Sequence, residues 1–169
     1  HGLILARVDA LPEPSRHVLQ CAAVIGRAFS AQLLGAVVEE PACLDASLRD
    51  LQEHGLIAGQ PAPGEMSYAF HHALTQEAVY GTMLRPRRQA LHRAVGFAIE
   101  EVFGDRLDEQ IEILAHHFYA GDAPQRALQY AVLAGARASG RYANQEALEY
   151  YQRARALVEL TPPTLEQRI

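Results

Sequence analysis

The stretch LDASLRDLQEHGLIAGQPAPGEMSYAF, Leu44–Phe70, changes its hydrophobic period halfway along. In the first half Leu44, Leu48 and Leu51 fall on one helical face, and His54-Gly55 reads as a left-handed cap. In the second half Leu56-Ile57-Ala58 reads as a short strand and Gln60–Gly64 as a turn with two prolines and a glycine. Tyr68 and Phe70 then alternate with Ala69 as a second strand. A helix that gives way at once to a hairpin narrows the choice of fold more than any other part of the chain.

Two helices are expected upstream. The prolines of Leu11-Pro12-Glu13-Pro14-Ser15 exclude an earlier helix and start the first one, with Val18, Leu19, Ala22 and Ile25 at helical spacing and Gly26 at its end. Ser30 is a good N-cap for a second helix carrying Leu33, Leu34, Val37 and Val38, which Pro41 interrupts. Three helices followed by a β-hairpin, in about eighty residues, is the order of a winged helix.

Downstream the period is helical throughout. Leu74, Ala78 and Val79 open a segment that Pro86 breaks; Leu91, Val95, Ile99 and Val102 form a longer helix ending at Gly104. Asp108 is placed to cap the next helix, with Ile111, Leu114 and Phe118 inside and Gly121 at its end. Asp122-Ala123-Pro124 opens another, and Thr161-Pro162-Pro163 stops the last. These final helices resemble tetratricopeptide (TPR) units: Gly135, Ala138, Ala147, Tyr151 and Ala154 match the small-small-Ala-aromatic-Ala spacing of one helix pair. The expected fold is therefore mainly α, a winged helix (three helices plus β-hairpin) over 1–85 and a helical linker with a truncated TPR-like array over 86–169.

Composition narrows the chemistry. An apolar content of 49% in 169 residues supports a packed core. No run approaches the ~18–20 apolar residues of a bilayer span, and no basic-then-apolar leader opens the chain. Cys21 and Cys43 lie in apolar stretches, so both are expected as reduced, buried thiols of a cytoplasmic protein. His1 and the interrupted helical pattern of Thr164–Ile169 suggest that both ends lie inside a longer chain. The net charge is −5, and all fifteen cationic residues are arginine. With no lysine there is no Walker A loop and no Schiff-base or kinase-type lysine, so the chain by itself is not a P-loop ATPase. Arginine-only, alanine-rich usage fits a high-GC bacterial genome.

Candidate sites are weighed against plain structural roles. Eight histidines include the pairs His71-His72 and His116-His117, and Glu112 stands four residues before His116. There is no H-E-x-x-H and no four-ligand Cys/His spacing, and neighbouring histidines point to different sides of a helix, so no metal site is expected. One member of each pair should be half-buried and the other exposed. Glu39-Glu40, Glu100-Glu101 and Asp108-Glu109 read as solvated faces rather than opposed catalytic carboxylates. No catalytic residue is assigned. Direct DNA binding is disfavoured, because the third helix sets Asp45, Asp50 and Glu53 against Arg49 and the wing, Gly59–Glu65, carries no positive charge.

One stretch carries a resemblance. YAFHHALTQEAVYGTMLRPRRQALH (Tyr68–His92), with LQCAAVIGRAF and LRDLQEHGLI before it and AHHFYAGD after it, resembles the region following the nucleotide-binding domain in bacterial STAND-type ATPases. These include regulators bearing a class III adenylate/guanylate cyclase domain and others ending in a LuxR-type DNA-binding domain. The resemblance implies that the winged helix restrains the ATPase domain in an ADP-bound state. It also implies that a histidine opening the helix after the wing senses the nucleotide phosphate. His72 matches that histidine; the family's Met-His-Asp pattern is here His71-His72-Ala73, so the aspartate's role does not carry over. ATP or ADP and Mg belong to the nucleotide-binding domain, and no cofactor is expected in this chain.

The basic cluster Arg85, Arg87 and Arg88, with Arg93 beyond it, reads first as a solvated helix start and otherwise as an interdomain contact. The expected partners are the ATPase domain of the same protein and a protein or peptide on the TPR-like face, with no membrane. The rival functions are a DNA-binding winged-helix regulator and a non-catalytic part of a nucleotidyl cyclase.

Overall fold

The computed structural model describes residues 2–62 and 64–160. The chain is mainly helical with one small sheet, and divides into two compact units, His1–Val102 and Phe103–Ile169. No helix among the described residues is long and apolar enough to cross a membrane.

The first unit begins with α1 (Gly2–Asp9) and α2 (Glu13–Ile25), followed by β1 (Ala28–Ser30) and α3 (Ala31–Val37). A 3-10 turn over Pro41–Cys43 leads into α4 (Leu44–Glu53). Then come β2 (Ile57–Ala62), β3 (Glu65–Phe70), α5 (Ala73–Thr82) and α6 (Arg85–Val102). Its core is apolar and dry: Leu19, Leu34, Leu51, Leu56, Ile57, Val79, Val95 and Ile99 are fully buried. The expected caps are present at two places. Ser30 Oγ accepts from the Leu33 amide at 3.1 Å, and Gly55 ends α4 at φ 60°, where a side chain would be strained.

Four details correct the expectation for this unit. Prolines 12 and 14 do not exclude an earlier helix: α1 forms, and Arg7 on it donates to the His54 carbonyl after α4. Pro14 sits in the first turn of α2, where its missing N–H costs nothing. The sheet has three antiparallel strands in the order β1-β3-β2, because Ala28-Phe29-Ser30 pairs with Ala69-Tyr68-Ser67. Three residues are too short to show a period, so β1 was not legible. Gln60 and Pro61 belong to β2, paired with Ser67 and Met66, which shortens the turn. Leu74 is 58% exposed, and Thr75 takes its inward place.

The second unit has a 3-10 segment over Gly104–Gln110, then α7 (Ile111–Ala120), α8 (Pro124–Gly140) and α9 (Asn144–Leu160). Asp108 lies in the 3-10 segment and does not cap α7; its carbonyl instead accepts from Arg137. Ala123, rather than Asp122, precedes α8. The division falls at 102/103 rather than 85/86, because α6 packs on α2 and α3 and is part of the first core.

Helix α8 packs against both α7 and α9, and the two connections repeat one backbone device. After α7 the amides of Gly121, Asp122 and Ala123 donate to the carbonyls of His117, Tyr119 and Phe118. After α8 those of Arg141, Tyr142 and Ala143 donate to Arg137, Ser139 and Ala138. Each turn places one residue in the left-handed region, Asp122 at φ 53° and Tyr142 at φ 60°. The contact surfaces are small residues, with Ala127, Ala131, Ala134, Ala138, Ala147 and Ala154 buried, so helix backbones approach closely. The last expected stop, Thr161-Pro162-Pro163, and the pattern of Thr164–Ile169 lie outside the described residues.

Candidate functional site

His72 is the residue before α5, in an extended conformation (φ −134°, ψ 137°) fixed by the end of β3. The Phe70 amide donates to Arg27 and the His71 amide to Leu56, so the strand delivers His72 to the helix start. Its backbone carbonyl accepts from the Thr75 amide, while its side chain makes no capping hydrogen bond. The imidazole is exposed beside the positive end of a ten-residue helix. His71 is exposed too, its ring 6.4 Å from that of His72, which departs from the expected half-buried partner. The second pair does divide as expected: His117 is buried and His116 exposed.

The three arginines of the basic cluster separate. Arg85 is exposed. The Arg88 guanidinium stands 5.1 Å over the Tyr80 ring, a cation–π contact inside the unit. Arg87 turns onto α2, where its Nη2 lies 2.7 Å from His17 Nδ1, and its Nη1 is 3.6 Å from Glu39.

These residues line a cleft of about 420 Å³ between α2, the end of α3 and the start of α6, together with Glu13, Glu40 and Cys43. His17 Nε2 in turn lies 3.7 Å from the Cys21 thiol. Burial pushes that thiol up to about 12, with Arg87 opposing and Glu39 adding to the shift, so Cys21 stays a protonated packing residue. Cys43 is half-buried rather than buried, near Glu40. Sequence reading did not find this cleft, because residues 17, 39 and 87 meet only through packing.

Among the described residues, no group of three or more His, Cys, Asp or Glu is arranged to hold a metal ion. On α4, Asp45, Arg49 and Glu53 are exposed, and Arg49 Nε donates back to the Asp45 carbonyl at 3.3 Å. That leaves an acidic helix face, which repels a phosphate backbone.

In the second unit, arginines and glutamates tie the helix ends. Glu112 accepts Arg137 at 3.6 Å and Arg141 at 3.4 Å, and Arg141 also reaches Glu146 at 3.6 Å. On α9 the Arg153 guanidinium stands 5.7 Å over the Tyr119 ring of α7 and 5.9 Å over that of Tyr150. Partial burial, and then the charge of Arg153, hold His116 below its usual range. Burial, Glu146 and Glu112 raise the Tyr150 phenol.

No family model matches the chain, and no solved structure matches it. It is similar to a protein of Rhizobium meliloti (strain 1021) described only as uncharacterized, with 30% identity over 142 residues. That match covers 83% of this chain and 14% of the relative. The chain thus spans about one seventh of the curated relative it matches.

Proposed function

We propose that this chain is a regulatory and interaction segment of a larger bacterial signalling ATPase. In this reading the first unit is a winged helix that restrains a nucleotide-binding domain, and the second begins a TPR-like sensor array. The observation that carries it is the path from β3 to α5. A three-stranded sheet ordered β1-β3-β2 ends on a strand that delivers an exposed His72 to a helix N-terminus. An imidazole N–H there can donate to a phosphate oxygen, and the helix dipole adds to the attraction.

Other features support the same reading. Helix, strand, two helices and hairpin follow in winged-helix order after α1. The second unit's two matching turns and its Ala-lined helix contacts suit stacked helical hairpins. Leu148 and Val158 leave an apolar edge on α9 that a further hairpin would cover. The long relative suits a multidomain parent. Regulation would be a population shift between closed ADP and open ATP states, biased by a partner on the helical array. The parent's output domain, a nucleotidyl cyclase or a LuxR-type DNA-binding domain, lies outside this chain in either case.

The experiment is His72→Ala in the longer protein, followed by ADP retained through gel filtration and basal output. Loss of bound ADP with raised basal output is expected. Unchanged ADP and unchanged output would sink the phosphate-sensing role. Salt-sensitive nanomolar DNA binding by the 169-residue chain would instead favour a DNA-binding winged helix.

A further inference from the structure

The second unit carries one cation that the helix-tying network does not use. Arg137, Arg141 and Arg155 each pair with a glutamate. Arg153, among the described residues, pairs with no carboxylate, Glu149 one turn back included. Its contacts are the faces of Tyr119 and Tyr150, donated by two different helices. A guanidinium held over ring faces keeps its N–H edge available, and that edge is the part that matches a carboxylate in bidentate fashion.

We propose that the α7/α9 face around Arg153, with Tyr119, Tyr150 and His116, is a binding site for a carboxylate of an acidic peptide segment. Charge complementarity selects the occupant. Arg153 is an exposed cation on a chain of net charge −5, so an acidic segment has one local reason to dock here and a general reason not to dock elsewhere. At the α8 end of the same face, Glu112 and Glu146 already accept Arg137 and Arg141, so they present little free negative charge. Tyr119, 52% exposed, offers an amphipathic ring, the kind of surface that supplies contact area at low entropy cost. The field of Arg153 reaches His116 and Tyr150, which places both within the same polar cluster. This assignment rests on the reading of the second unit as a partner-binding array.

The probe is a fluorescein-labelled, acetylated pentaglutamate peptide, titrated by polarisation against the 169-residue chain at low and at physiological salt. Binding that weakens with salt is expected, and Arg153→Gln should weaken it by about tenfold, the usual weight of one charge-assisted pair. Arg155→Gln, two residues away and already paired with Glu159, should leave it unchanged. Tyr119→Leu should weaken binding without changing the helical circular dichroism. Equal losses in the two arginine variants, or no binding by a folded chain, would overturn the assignment. Neither outcome touches the ADP readout of His72, so the two readings fail separately.

Discussion

Gly135 of α8 lies directly beneath the Tyr151 ring of α9: a Cβ at 135 would stand 2.8 Å from Cε1 and 3.0 Å from Cδ1 and Cζ. The glycine is therefore a packing requirement, since its helical backbone would otherwise favour alanine. Gly135→Ala is expected to destabilise the second unit, because overpacking costs about 1–3 kcal/mol against a propensity gain of about 1 kcal/mol. In a Tyr151→Ala background the same substitution should stabilise by about 1 kcal/mol, since only the propensity gain remains. A double-mutant cycle by chemical denaturation reads the change of sign; additive effects would mean the ring moves aside freely.

Tyr142 holds φ 60° at the tip of the α8–α9 turn while its side chain is 89% exposed. A side chain there is strained by about 1–2 kcal/mol, and almost nothing is gained from packing. Tyr142→Gly should stabilise the unit by about 0.5–1 kcal/mol after the added freedom of the unfolded glycine is counted. Tyr142→Ala, which keeps a Cβ, should not reproduce the gain in thermal unfolding.

The two thiols should behave differently. Cys21 is buried, with its ionisation pushed up to about 12, whereas Cys43 is half-buried. In the native chain at pH 8, a thiol reagent should label Cys43 first, and Cys21 only after denaturant is added. Because the folded pKa is raised, the unfolded thiol ionises first. Stability from Cys21 is whole below pH 9 and falls between pH 9 and about 12. Prompt labelling of both sulfurs would contradict the burial.

His116 is held below 6.5 by partial burial and then by Arg153. Its neutral form is therefore the one favoured by folding. The stability it contributes is whole above pH 6.5 and is lost as pH falls below 6.5 toward the folded value. In an NMR titration of the ring, the midpoint should lie below 6.5 and move upward in Arg153→Gln. A midpoint insensitive to that substitution would separate the two residues.

The helical period made α2, α3, α4 and α6–α9 legible, because apolar residues recur on one face and glycine or proline punctuates the ends. Gly55 and Ser30 announced their caps by residue type alone. Where the sequence misled, a local signal was overridden or too short. The Pro12 and Pro14 pair did not stop α1 from forming ahead of it, and β1 is a three-residue strand visible only through its pairing with β3.

The candidate sites divide in the same way. His72 at a helix start could be marked from sequence because strand, histidine and helix are consecutive. Sequence reading also identified the small residues of the α8–α9 pair, although only their packing shows why Gly135 must lack a side chain. That Arg87 turns to His17 and Glu39, that Arg88 rests on Tyr80, and that Arg153 spans Tyr119 and Tyr150 was decided by tertiary structure alone. The physical reason is reach. A flexible cation finds its partner among residues brought near by helix packing, and separations such as 17 to 87 leave no periodic trace in the chain.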